Sequence, residues 1–258
     1  MAAELLVLPA LLAYGEAAVA YGAEVKRPGT AGRLAIWGVR VGWLAHTALL
    51  LVQAAQAGGF AWSSWGGALN LLAWLVVGAY LIWGCRPRFR LLGLAVMPLA
   101  VALLALALVG GGAGATGTGP GFVLALHVAL MLAGFAGFAL AGGLSGFYLW
   151  HERRLKRRSP GILRLRVPPL ESLDRLAGRT VAVALAALTG GMVVGLVGFA
   201  VRDAARFDLA MAWTVGVWSL YLAYVLLRVR GLHGRRAAHL ALAGLVGVAA
   251  LLPITHFA

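Results

Sequence analysis

The chain has 258 residues, 62% of them hydrophobic and only 12% charged, whereas a soluble globular domain carries about 25% charged residues; an ordinary water-soluble fold is excluded. The formal net charge of +14 does not mark a nucleic-acid binder, because the Lys and Arg residues fall in short clusters between apolar runs, which is the positive-inside pattern of a membrane protein. One cysteine, Cys85, excludes an internal disulfide and a two-cysteine thiol relay.

Apolar runs lie near 3–24, 35–57, 66–85, 89–110, 121–150, 178–201, 208–228 and 237–257. Each is about the length of a bilayer crossing, roughly 20 residues. The expected fold is an all-α, polytopic transmembrane helix bundle of eight spans, forming a single membrane domain over 1–258. The first run holds Glu4 and Glu16 and has no Lys or Arg before it, so it reads as a retained helix and not as a cleaved signal. The fifth run exceeds what one crossing needs and is expected to tilt or protrude.

The connections between runs alternate in charge. The first, third, fifth and seventh contain Lys26, Arg27 and Arg33; Arg86, Arg88 and Arg90; Arg153 to Arg166; and Arg228 to Arg236. The even connections are bare except for Arg202 and Arg206, and Arg40 lies within the second span. The odd connections are therefore expected in the cytoplasm, with both termini outside and the chain in the cell inner (plasma) membrane. The long inner linker, 151–178, begins as a basic stretch that either meets anionic headgroups or is a solvated connector. Its second half predicts a short amphipathic helix with Leu170, Leu173 and Leu176 on one side. The Gly-rich connection 110–121 lacks the Lys-Ser/Thr ending of a phosphate loop and reads as flexible. The 36 glycines fit the small-residue packing of membrane helices.

Ionisable groups inside lipid are costly, so their positions carry information. His151, His233 and His239 lie near the cytoplasmic face among arginines. His46 lies inside the second span, His127 about two turns into the fifth, and His256 at the end of the eighth. The predicted topology puts His127 and His256 on different helices near the same outer face. Each either hydrogen-bonds a neighbouring helix or shares a ligand. Neutral imidazole is a common iron ligand, and a facing pair suits heme. Trp62 and Trp65, in the connection after the second span, are either interfacial anchors or an apolar wall beside a flat ligand. Asp203 and Asp208 stand beside Arg202 and Arg206, either as surface pairs or as a polar set for carboxylates. No His-Glu-x-x-His, Gly-x-Ser-x-Gly or P-loop pattern occurs, and no enzyme activity is expected.

Four stretches carry a resemblance. Leu44-Ala45-His46-Thr47-Ala48-Leu49-Leu50, followed by a Gly-Gly-Phe connection, comes first; then Leu126-His127-Val128-Ala129-Leu130-Met131. Leu155-Lys156 with Pro169-Leu170-Glu171-Ser172-Leu173-Asp174 is the third, and Gly234-Arg235-Arg236-Ala237-Ala238 with His256 the fourth. In this order they resemble the cytochrome c assembly family, membrane heme-handling proteins of the CcsA, CcmC and HemX types, from the second span onward. The resemblance implies heme b held at the outer face by His127 and His256. It also implies a further ligand at His46, partners such as a CcsB-like membrane subunit and apocytochrome c, and a role in cytochrome c assembly. Two positions depart from the family pattern. Leu226 stands where some members carry a second membrane histidine. Around Arg206-Phe207-Asp208 the tryptophan-rich signature is reduced to Asp208. These departures bring the chain nearest the HemX-like branch, whose members are linked to regulation of heme synthesis without heme transfer.

Overall fold

A computed structural model describes residues 2–26, 29–57, 65–84, 89–110, 122–158, 168–202 and 209–257. Among them the chain folds into eight α-helices: α1 (Ala2–Lys26), α2 (Thr30–Ala57), α3 (Trp65–Gly84), α4 (Gly93–Val109), α5 (Phe122–Lys156), α6 (Leu170–Arg202), α7 (Leu209–Val229) and α8 (Arg235–Phe257). Five contain stretches long and apolar enough to cross a membrane: Leu6–Val25, Thr30–Gln56, Phe122–Lys156, Leu170–Gly198 and Leu209–Val229. Gly66–Ile82 and Gly93–Val109 are shorter apolar stretches. The chain is a multi-pass helical membrane protein, with helices where the apolar runs predict them.

The inner linker departs from expectation. No separate short helix forms in its second half, because nothing breaks the chain between Leu170 and Arg202 and the amphipathic segment continues into the span as the first turns of α6. Its buried row is Leu173, Ala177, Val181, Ala184 and Leu188, a near four-residue repeat that follows one face of a continuous helix. Leu170 and Leu176 are only half-buried. The other end of the linker is helical too. α5 runs 35 residues, about 52 Å at ~1.5 Å per residue, against a hydrocarbon core of about 30 Å. Arg153, Arg154 and Lys156 occupy its last turn, where cations complement the helix dipole.

The helices gather into two compact units. One holds α1–α4 with the Trp150–Lys156 end of α5, and the other holds α5 up to Leu149 with α6, α7 and α8. In the first, α1 and α2 pack antiparallel at close range because Gly38 lies against Ala13 and Ala17, and Gly42 against Ala13 and Tyr14. Glu24 closes this pair, its carboxylate accepting the Gly29 and Gly32 N–H groups at 2.9 and 2.8 Å and pairing with Arg90. It thereby satisfies N–H groups at the start of α2 that the helix itself leaves open.

In the second unit α5 and α6 run antiparallel along a ladder of glycines. Gly134 meets Leu188, Gly137 meets Ala184, Gly191 meets Met131, and Gly195 meets His127. Small residues let helix backbones approach closely where no water drives association. α7 completes the core through a Phe138–Tyr221 stack, with ring centroids 3.6 Å apart and planes at 1°, and Tyr221 lies over Gly244 of α8.

Charge alternation predicts the orientation, and labelling tests it. In a Cys85→Ala background, a cysteine at Ser63 should react with an impermeant thiol reagent in whole cells and one at Ser159 should not. The opposite pattern would invert the topology.

Candidate functional site

His127 lies five residues into α5, half-buried, with its ring over the α6 glycines. Its Nδ1 is 2.7 Å from the backbone carbonyl oxygen of Gly191. A carbonyl only accepts, so Nδ1 carries the proton and Nε2 of the neutral ring holds the lone pair. Gly195 makes room for this arrangement, since a Cβ there would sit 2.7 Å from both Cε1 and Nδ1 of the ring. An imidazole whose Nδ1–H is tied to a carbonyl has a fixed tautomer, a fixed plane and a more basic Nε2, which is how proteins prepare a metal-ligating histidine.

His256 lies in the last turn of α8, and its side chain falls outside the described residues. The register of α8 against α5 still fixes its level. Gly142 lies against Leu245 and Tyr148 against Gly234, so the two helices run antiparallel. Counting from the Gly142–Leu245 crossing at ~1.5 Å per residue, position 127 lies about 22 Å along and position 256 about 16 Å along, in the same direction. The two positions thus share one end of the unit, within about 6 Å in depth. Trp62 and Asp208 fall outside the described residues, as does Asp203. Trp65 opens α3, and its side chain is not among those described. Leu226 lies on α7 with 54% of its surface exposed.

His46 is in a different chemical position. It is fully buried, and both ring nitrogens have partners within the first unit. Nε2 is 2.7 Å from Asn70 Oδ1, and Nδ1 is 3.3 Å from the Tyr14 hydroxyl. Asn70 Nδ2 in turn donates to Gln53 Oε1 at 3.1 Å. The donors run one way: Tyr14 O–H to His46, His46 Nε2–H to Asn70, Asn70 N–H to Gln53. Beside this chain Trp43 and Trp74 stack at 5.2 Å, and the Trp74 indole donates to Thr47 Oγ1 at 2.8 Å. Binding iron at His46 would require breaking one of its two hydrogen bonds. His46→Ala should therefore lower stability by about 1–3 kcal/mol for each buried group left unpaired and leave a heme spectrum in place. Thermal unfolding and an absorption scan of the same sample check this, and a spectrum lost with stability unchanged would reverse the assignment.

Sequence reasoning missed Asn70, Gln53 and Tyr14, and it missed the carboxylate that ties the basic end of the second unit together. Asp174 accepts two hydrogen bonds from Arg228, at 3.0 and 2.9 Å, and one from the Gly234 backbone N–H at 3.0 Å. Gly234 has φ of 67°, a left-handed conformation that favours glycine. The Arg228 guanidinium also lies in the space beside Gly178, where a Cβ would come within 2.5 Å of its Nε. The Pro-Leu-Glu-Ser-Leu-Asp stretch and the Gly-Arg-Arg-Ala-Ala stretch, far apart in sequence, are thus joined through Asp174. The signal available in the sequence was Asp174 one turn into a helix, with no cation at the i+4 position.

An all-helical, multi-pass membrane protein with an imidazole held by a backbone carbonyl near one end of a four-helix unit is the class that fold and site define. The chain belongs to the cytochrome C assembly protein family, whose sequence profile matches residues 62–257. It is similar to the cytochrome c biogenesis protein CcsA of Parasynechococcus marenigrum (strain WH8102), 30% identical over 150 residues, with 49% of this chain and 49% of that protein covered. The chain spans about half the length of the curated relative it matches. The family match takes in α3 to α8 and leaves α1 and α2, including the stretch around His46, outside it.

Proposed function

We propose that the chain binds heme b at the outer end of the α5–α8 unit and serves cytochrome c biogenesis, with 1–258 acting as one membrane domain. The observation that carries this reading is the Nδ1–H of His127 held by the Gly191 carbonyl, which leaves Nε2 as an oriented nitrogen donor. His256, at nearly the same level on α8, is the second ligand in this reading. The donor types would suit the group: bound heme would supply an iron that imidazole nitrogens such as these could hold, and two propionates that would need polar partners. Asp208 and its arginine neighbours, in the connection between α6 and α7, are placed in sequence to order that polar edge. The chain holds heme without transforming it. Apocytochrome c and a CcsB-like membrane subunit are the partners this role requires, and the relative's name favours assembly over a HemX-like regulatory role.

The test is an absorption spectrum of the purified protein, oxidised and reduced, after expression with ample heme. Sharp reduced bands from a six-coordinate low-spin iron are expected. A protein that stays heme-free would sink the reading and leave regulation of heme synthesis by the basic linker as the better one.

A further inference from the structure

Glu16 is an ionisable residue in the middle of a membrane helix, on the side of α1 turned away from α2. It is the eleventh residue of the 20-residue stretch Leu6–Val25, about 15 Å from either end at ~1.5 Å per residue, too deep for its short side chain to reach water. Among the described residues it has no hydrogen-bond or ion-pair partner. A polar group at that depth is costly unless something meets it.

The face around Glu16 has a regular spacing. Pro9, Leu12, Glu16, Val19 and Ala23 are all exposed, and they follow one another at intervals of three, four, three and four residues. That is the seam along which two parallel helices pack, and a single polar residue in such a seam fixes register and the number of helices that meet. Leu12 and Val19, on either side of Glu16, are 71% and 75% exposed. Gly15 and Gly22 flank the seam, and a Cβ at either would meet nothing within 4 Å. They make room for nothing inside the chain. The glycines that do, Gly38 and Gly42 of α2, lie against Ala13, Tyr14 and Ala17 on the other side of α1. Small residues beside a seam let a second membrane helix come close.

We propose that a second copy of this chain covers this face: α1 packs parallel to α1 of the other copy along Leu12, Glu16, Val19 and Ala23, and the two Glu16 carboxyl groups hydrogen-bond to each other. A protonated carboxyl both donates and accepts, so two of them are complementary with no cation between them. A two-fold axis brings a residue beside it to its own counterpart, and copies inserted in the same orientation hold that residue at one depth. A helix of another protein would have to carry a matching group to the same level, whereas a second copy carries it of necessity. α1 lies ahead of the region that matches the family, so the surface is separate from the heme reading and stands or falls independently of it.

The test uses two differently tagged full-length chains coexpressed in native membranes. In a Cys85→Ala background, Val19→Cys in both should give a disulfide-linked dimer under mild oxidation. Val41→Cys and Val183→Cys, exposed positions of α2 and α6, should not. Glu16→Leu in both chains, an apolar change that lipid tolerates, should cut co-purification of the two tags about tenfold, the scale of a lost hydrogen-bonded pair between membrane helices. Glu16→Gln in both should keep it, because an amide also donates and accepts. Gly15→Leu, which fills the approach without touching the carboxyl, should weaken it. Equal crosslinking at all three cysteine positions, or tags that never co-purify or do so regardless of Glu16→Leu, would overturn the proposal and assign the face to lipid. Loss in Glu16→Gln as complete as in Glu16→Leu would also overturn it and assign Glu16 to a cation on another protein.

Discussion

His127→Ala and His256→Ala should each change the heme spectrum from that of a six-coordinate low-spin iron to that of a weaker five-coordinate site, and the double variant should lose bound heme. Two imidazoles saturate the axial positions of the iron, so removing one opens a position and removing both leaves no ligand. The structure adds a sharper probe. Gly195→Ala would put a methyl group 2.7 Å from the His127 ring and push it off the Gly191 carbonyl, while both ligands remain in the chain. Loss of such a second-sphere hydrogen bond typically costs about 10–100-fold in metal affinity. Heme titration of Gly195→Ala should show that loss with helix content unchanged by circular dichroism. Wild-type affinity in this variant would mean the ring is not oriented by α6, and an unchanged spectrum in the double variant would remove the ligand assignment altogether.

Asp174→Ala should destabilise the protein by about 1–3 kcal/mol, the range for leaving a part-buried hydrogen-bonded group without its partner. The side chains of Arg228 and Asp174 are only 14% and 13% exposed, so the abandoned guanidinium would keep its charge with little water to solvate it. The Gly234 N–H would lose its acceptor at the turn into α8 as well. Asp174→Asn retains one acceptor and should lose less. Arg228→Ala combined with Asp174→Ala should recover part of the loss, since the stranded charge is gone, and a double-mutant cycle isolates the coupling. Thermal denaturation in detergent gives the measurement. A change within about 0.5 kcal/mol, the range of an ordinary surface substitution, would show that the pair is ornamental.

The helices were legible because crossing a bilayer imposes a length and an apolar composition that a reader can see in one dimension. His127 was legible for the same reason, as an imidazole in an apolar run. What orients its ring was not, because the Gly191 carbonyl and the Gly195 gap lie 64 and 68 residues further along the chain and meet the ring only through the α5–α6 register. The environment of His46 was hidden in the same way: Tyr14, Asn70 and Gln53 come from three helices, and none looks unusual alone. The boundary of α6 was misplaced because charge was read as a break in the helix. Glu171 and Arg175 instead form an i,i+4 pair at 3.0 Å that supports the same helix.

The absent methyl group at Gly195 has a bearing on inheritance. The atoms that a Cβ there would meet are those of the His127 ring, so the position answers to that one side chain. A descendant that replaces His127 with a smaller residue releases position 195 to carry alanine. A descendant that keeps the histidine must keep the glycine. Loss of the ligand and drift at Gly195 should therefore travel together through related sequences, and a glycine retained opposite a retained histidine marks lineages in which the site still matters.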